Sequence, residues 1–357
     1  MPSLQQSFDP HHNALGALRL GAALLVVLGH AYEVGGFGPD PLHRAAGLTL
    51  GEFGVNVFFS ISGFLVARSW ENSSGPGPYL AKRALRIFPG LWLCLFLTGF
   101  LIFPWLAARQ PAGPDAAGLS ESFLYFWHNA WLKVRQTGFA GLFSDHPAAG
   151  VANGSLWSLF PEALCYLGLP VLAWLGGLRG GRRWLPLAIA FLLTLAQAAA
   201  PRLLPGLASA GPLWWLWRLS TQAAFFVGGV CLHIHSSRIP ASPHTAIAAT
   251  LLLVAAPPLG LYPWIGPLVL PAALLLAASR LPARNLDKGG DYSYGLYLYH
   301  YPVQQSLIAL GASSAGAAMF FAHSLLVSLP LAAFSWWCVE KPALKWKPAP
   351  RRRTSAA

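Results

Sequence analysis

The stretch Leu15-Gly-Ala-Leu-Arg-Leu-Gly-Ala-Ala-Leu-Leu-Val-Val-Leu-Gly-His-Ala-Tyr32 decides the fold class of this chain. It is apolar except for one cation, Arg19, and one imidazole, His30. Eleven positions separate the two, close to three helical turns. Both therefore lie on one helix face, about 16 Å apart along the axis. In a membrane-spanning helix, Arg19 sits near one interface and His30 lies deeper or toward the other. Ionisable groups at membrane depth cost on the order of 3 kcal/mol each and are usually functional. The plainer alternative has Arg19 snorkelling to the headgroups and His30 as an interfacial residue.

Composition extends this reading to the whole chain. Of 357 residues, 55% are hydrophobic and 10% charged, and the mean hydropathy is +0.49. Soluble domains carry about 25% charged residues, so this chain cannot cover a soluble surface. It reads as an all-α integral membrane protein. The 15 tryptophans fit interfacial belts. A net charge of +12 would point to nucleic acid in a soluble protein; here membrane topology explains it better. Cys94, Cys165, Cys231 and Cys338 fall in apolar stretches without paired spacing, so they read as small hydrophobes. The first apolar stretch has no basic region before it and no small-residue cleavage site, so it reads as retained. No internal repeat is evident.

Residues 1–13 form a polar leader, in which His11 and His12 read as solvated. A membrane domain covers 14–343 and a basic tail 344–357. Apolar stretches predict about ten transmembrane helices, near 15–33, 51–68, 88–107, 156–177, 184–200, 213–234, 245–260, 262–279, from Asp291 onward, and 317–338. The division of 245–279 into two short spans is the least determined by sequence. The longest non-spanning region, 108–155, carries Trp127, Trp131 and Asp145-His146-Pro147. A loop of that length is usually functional or disordered; its aromatics suggest packing on the bilayer or over a cavity.

Ten spans put both termini on one side. On that model the terminal side holds about three times as many Lys and Arg as the opposite side, among them Arg68, Lys82, Arg83, Arg86, Arg179, Arg284, Lys288 and Arg351–Arg353. Both termini are thereby expected to be cytoplasmic, with 108–155 outside. The acids Glu33, Asp40, Asp115, Glu121 and Asp145 lean the other way.

Three further sites hold chemistry-bearing groups. Arg83 and Arg86 are spaced i, i+3 on a helix entering the third span. Two guanidiniums on one face suit a multi-phosphate ligand, or simply form a topogenic cluster with Lys82. Glu162, after Pro161, is a carboxylate at the fourth span that needs a partner: an imidazole, a cation or an arginine lock. His300 lies on a Tyr-rich stretch with Tyr297 one turn earlier. Ser60 and Ser62 lack a nucleophile's strand–turn–helix context and read as helix-packing residues. His233 and His235, spaced i, i+2, face apart and make a poor metal pair.

Six stretches in order resemble acyltransferase family three, the integral-membrane acyltransferases that O-acylate glycans. They are Arg-x10-His at Arg19 and His30; Gly-Val-x-x-Phe-Phe-x-x-Ser-Gly-Phe at Gly54–Phe64; Arg-x-x-Arg at Arg83 and Arg86, before Pro89; Trp-Ser-Leu-x-x-Glu at Trp157–Glu162; Ser-Tyr-x-x-Tyr-x-x-His-x-Pro from Ser293 to Pro302; and Glu-x-Pro at Glu340–Pro342. The resemblance covers about 13–343. Asn56 stands where an Asp is common, and Cys165 where a Phe often precedes Tyr166. The membrane domain is expected to stand alone, without the extracytoplasmic hydrolase-like domain that some relatives carry.

The resemblance implies transfer of an acyl group, most often acetyl, from cytoplasmic acyl-CoA to a hydroxyl of a cell-envelope or exported glycan, in the inner membrane of a bacterium. Arg83 and Arg86 would grip the CoA phosphates. His30 would be general base or covalent acyl carrier. Arg19 would favour the neutral form of His30 or stabilise thioester charge. Glu162 would orient a histidine or contact the acceptor, and His300 would form a second polar wall. Acyl-CoA and membrane lipid are the expected partners beside the glycan, with no metal and no nucleic acid. The rival readings are a transporter or flippase of a lipid-linked saccharide and a non-catalytic member of a polysaccharide assembly complex. The acceptor and the acyl group are not legible in the sequence.

Overall fold

The computed structural model describes residues 2–9, 12–109, 118–206, 211–281, 289–312 and 316–349. His11, Asp115, Arg284, Lys288 and Arg351–Arg353, all weighed above, lie outside these. Among the described residues the structure is helical, apart from an isolated antiparallel bridge between Ser3 and Pro240.

The main helices are α1 (Leu15–Val34), α2 (Leu50–Glu71), α3 (Pro76–Ala107), α4 (Leu119–Asn129), α5 (Gly154–Trp174), α6 (Leu185–Leu203), α7 (Pro212–His235), α8 (Pro243–Ala255), α9 (Tyr262–Ala278), α10 (Ser293–Ala309) and α11 (Ala317–Leu344). Six of these, α1, α2, α3, α5, α6 and α11, are long and apolar enough to cross a membrane. Helix α8, at 13 residues, and α9 and α10, at 17 each, are shorter than a typical span.

Local sequence sets the helix ends. Thr49 and Glu52 form a reciprocal capping box at the start of α2. Pro76 opens α3, where a missing N–H costs nothing. The third span therefore begins a dozen residues before the apolar run, and Lys82, Arg83 and Arg86 are carried on the same continuous helix. One π-helical turn, Leu97–Ile102, interrupts α3, and another, Trp336–Glu340, interrupts α11. The 108–155 region is not a plain loop, since it holds α4. That helix buries Ser122, Tyr125 and Asn129; such a polar inner face gives no hydropathy signal.

Helix α2 is the pillar of the bundle, packed between α1 and α7. Small residues allow the close approach. A Cβ on Gly63 would fall 1.9 Å from the Phe226 carbonyl oxygen of α7, and one on Gly29 of α1 would fall 2.7 Å from the Gly51 nitrogen. Helix α10 packs on α1 and α11 and is buried almost throughout from Ser293 to Gln305.

Candidate active site

Four helical elements, α1, α2, α5 and α10, each contribute to two cavities stacked along their length. At one end of α1, Arg19 faces an inner cavity of about 110 Å³ with Ser62 of α2, Arg83 and Arg86 of α3, Glu162 and Tyr166 of α5, and Tyr294 and Tyr297 of α10. At the other end, His30 faces an outer chamber of about 790 Å³ with Glu33, Glu52, Trp157, Arg218 of α7 and Tyr301. Val55 of α2 stands in the wall of both cavities.

The inner cavity is a polar network in an apolar wall. Asp291, just before α10, binds Arg19 Nη2 at 3.1 Å and is also bonded to Arg86. The Ser293 hydroxyl donates to the same carboxylate at 2.6 Å. Arg83 donates to Ser69 Oγ at 3.3 Å and stacks over the Tyr166 ring. Arg86 lies over the rings of Tyr294 and Trp336. Glu162 accepts from Ser62 Oγ at 3.3 Å and from the Tyr166 hydroxyl. The buried Nε atoms of Arg19 and Arg83 have no hydrogen-bond partner among the described residues, an arrangement that leaves donors for a ligand.

At the outer chamber, His30 and His300 form a pair whose tautomers follow from one carbonyl. His300 Nδ1 lies 3.0 Å from the Leu296 carbonyl oxygen, which can only accept, so that nitrogen carries the proton. His300 Nε2 is then a lone pair and accepts from His30 Nδ1–H at 2.8 Å. This leaves His30 Nε2 unprotonated. Gln304 Nε2, donating to the Val27 carbonyl at 2.9 Å, clamps α10 to α1 beside the pair.

The rest of the chamber is acidic and aromatic. Arg218 donates to Glu52 at 3.0 Å and lies 4.4 Å over the Trp157 ring. Asp40 caps the short helix Pro41–Ala46 through the amides of Leu42 and His43 and also accepts from Leu50 N–H. Gln305 donates to the carbonyls of Ala148 and Val151 and accepts from His146. These bonds fold the end of the 108–155 region over the chamber as a wall.

Between the cavities, the Tyr297 hydroxyl donates to the Ser155 carbonyl at 2.6 Å and meets Ser158 Oγ at 2.5 Å. The Phe58 ring packs edge-on to Tyr297, with centroids 5.8 Å apart.

The structure brings Arg19, Arg83, Arg86 and Glu162 into one cavity and pairs His30 with His300 at the other. Glu162 orients neither histidine: its partners are Ser62 and Tyr166. Arg19 is held by Asp291 and belongs to the inner cavity, not to the surroundings of His30. Ser62, expected to serve packing alone, lines the inner cavity and holds Glu162. Sequence reasoning missed Asp291 as a partner, although an acid at the basic end of the chain was itself the signal. Among the described residues, no group of three His, Cys, Asp or Glu side chains is placed to hold a metal ion.

A family model described as an acyltransferase domain matches residues 12–339. Nodulation protein 10 of Rhizobium leguminosarum bv. viciae is 31% identical, with 96% of each chain covered. An O-acetyl transferase of Shigella phage Sf6 is 30% identical over 92% of this chain and 95% of its own. Acyltransferase MdmB of Streptomyces mycarofaciens is 26% identical over 81% of this chain and 78% of its own. No solved structure matches the chain.

Proposed function

The chain belongs to acyltransferase family three, and from that premise we propose that it moves an acyl group, acetyl first, from cytoplasmic acyl-CoA to a hydroxyl of a cell-envelope or exported glycan. We further propose ten membrane crossings in the bacterial inner membrane, with both termini in the cytoplasm. The observation that carries the proposal is a pair of cavities of opposite character along the same helices, with Val55 in the wall of both and His30 in the wall of the outer one.

Arg83 and Arg86 of α3 line the inner cavity, at the end that a positive-inside bias would assign to the cytoplasm. Arg83 and Arg86 would bind the donor's phosphates by forked hydrogen bonds. The thioester arm would run up the apolar wall toward Val55. The acceptor would enter the outer chamber, where Trp157 offers a ring face and Glu33 and Glu52 offer hydrogen-bond acceptors for hydroxyls.

His30 Nε2 then takes the proton of the acceptor hydroxyl while its oxygen attacks the thioester carbonyl. The tetrahedral intermediate collapses with loss of the CoA thiolate, which takes the proton back from the imidazolium. His300 stabilises that imidazolium through its Nε2 lone pair. Arg19 and Glu162 act from the inner cavity, Arg19 on the donor and Glu162 by holding Ser62 and Tyr166 at the thioester's path.

The test is release of free CoA from acetyl-CoA by the purified protein, dependent on glycan acceptor and on His30. Saccharide movement without thioester turnover, retained in His30→Ala, would sink the reading in favour of a transporter. Mass spectrometry of envelope glycans with and without the gene identifies the acceptor.

A further inference from the structure

Attack of the acceptor oxygen on the thioester places a negative charge on the carbonyl oxygen beside His30. Arg19 is held by Asp291 in the wall of the inner cavity. Arg218, in the wall of the outer chamber, is held by Glu52. A neutral donor stands beside His30 instead. The Tyr301 ring packs edge-on to the His30 ring with centroids 5.1 Å apart, and both residues line the outer chamber.

Local sequence fixes that phenol. Pro302 has no N–H, so the Leu298 carbonyl one turn earlier is left free by the helix. Asn153 Nδ2 donates to it at 3.0 Å. Asn153 Oδ1 accepts from the Ser155 N–H at 3.2 Å and so caps the start of α5. These bonds hold Gly154 against the Tyr301 ring. A Cβ on Gly154 would fall 2.6 Å from the ring carbon Cε2 and 3.0 Å from the hydroxyl oxygen, so only a bare backbone lets the phenol lie there. The bond from Tyr297 to the Ser155 carbonyl and those from Gln305 to the Ala148 and Val151 carbonyls pin the same segment on either side. Tyr301 is 2% exposed. A buried Tyr hydroxyl ordinarily finds a hydrogen-bond partner; this one has none among the described residues. The hydroxyls of Tyr125 and Tyr299 are sealed in the core, whereas Tyr301 stands in the wall of the chamber.

We propose that the Tyr301 hydroxyl is the oxyanion donor of the reaction. It gives a hydrogen bond to the thioester carbonyl oxygen as charge develops there and keeps its own proton. It releases that oxygen when the carbonyl re-forms and the CoA thiolate leaves. The same oxyanion forms whether His30 takes the proton or the acyl group. The inference rests on reading the chain as an acyltransferase that reacts at His30. A phenol ionises near 10 and an imidazole near 6.5, so over the range between them a protonated donor stands beside a neutral base. A donor already fixed in place needs no reorganisation when the charge appears.

The experiment measures CoA release by the purified full-length protein. Acetyl-CoA is the donor, and envelope glycan from the bacterium lacking the gene is the acceptor. Tyr301→Phe keeps the ring and its packing and removes only the hydroxyl. Its kcat should fall by about 100-fold, as for loss of one oxyanion donor, with the KM for glycan and the affinity for CoA unchanged. Wild-type turnover in Tyr301→Phe, or a raised KM with kcat kept, overturns the assignment. A second variant carries at position 301 a fluorinated tyrosine whose phenol ionises near neutrality. Its rate should fall above neutral pH, where a phenolate can no longer donate, while the wild-type rate stays level. A profile that matches the wild type overturns the assignment as well. In each of these cases the wild type still turns over, so the acyltransferase reading stands. A folded wild-type protein that releases no CoA under the same conditions overturns both.

Discussion

The inner cavity and the outer chamber share four helical elements yet are charged in opposite senses. The inner one is lined by Arg19, Arg83 and Arg86 against Glu162. The outer one is lined by Glu33, Asp40 and Glu52 against Arg218. The difference comes from the ends of the helices rather than their middles. Helix α1 brings one polar residue to one end and another to the other, Arg19 and His30. The middles, near Val55, Phe58 and Tyr297, are apolar or aromatic. A bundle built this way holds two cavities of opposite character with Val55 in the wall of both. That suits a reaction whose two substrates arrive from opposite sides.

If the two cavities are separate in function, a change in one should leave the other's ligand untouched. His30→Ala carries the largest expected effect. Acceptor-dependent CoA release should fall by about 10³-fold, within the range for loss of a general base. CoA affinity should stay at the wild-type value, because His30 does not line the inner cavity. A parallel loss of CoA affinity would merge the two cavities into one site. Rapid quench and peptide mass spectrometry on the wild type also distinguish base from carrier: an acylated His30 peptide would make the imidazole the nucleophile.

Val55→Phe tests the barrier directly. Val55 is 5% exposed and stands in the wall of both cavities, so a larger side chain thickens the wall between them. Turnover should drop by roughly 100-fold, as expected when reacting groups are kept about an ångström apart. CoA affinity and folding should persist. Turnover at the wild-type rate would mean that the acyl group passes elsewhere.

Arg86→Ala acts on the inner cavity alone. Loss of a charge-assisted bond to phosphate is worth about 2 kcal/mol, or roughly 30-fold in Kd. The effect should appear in CoA affinity and leave the KM for acceptor unchanged. Arg83→Ala should behave in the same way. Affinity equal to wild type in both would return the pair to a topogenic role.

Sequence carried the two ends of this comparison farther than it carried their connections. The Arg19–His30 spacing reads directly as a two-ended helix because helical periodicity is local. The basic entry to α3 was legible for the same reason. The His30–His300 bond was not, since it joins positions 270 residues apart and neither neighbourhood names the other. Glu162 was recognised as a carboxylate needing a partner, but the choice among partners is set by the packing of α5 on α2. Ser62 was misjudged because a small hydroxyl on a helix looks the same whether it faces a neighbour or a cavity. Helix α4 was missed because its buried face is polar. The family resemblance itself was carried by short motifs, and Asp291, outside them, became visible only through its neighbours in space.

The smallest expected effect concerns Asp291, which ties α1 to α3 through Arg19 and Arg86 at the inner cavity. Asparagine keeps the shape but removes the carboxylate that Arg19 and Arg86 share, so Asp291→Asn should melt below the wild type. Added CoA should narrow the gap between the two proteins, since its phosphates replace the missing carboxylate as the anion between the arginines. An acceptor sugar should not narrow it if it enters the outer chamber as proposed. A sugar that restored the variant as well as CoA does would erase the distinction between the two cavities.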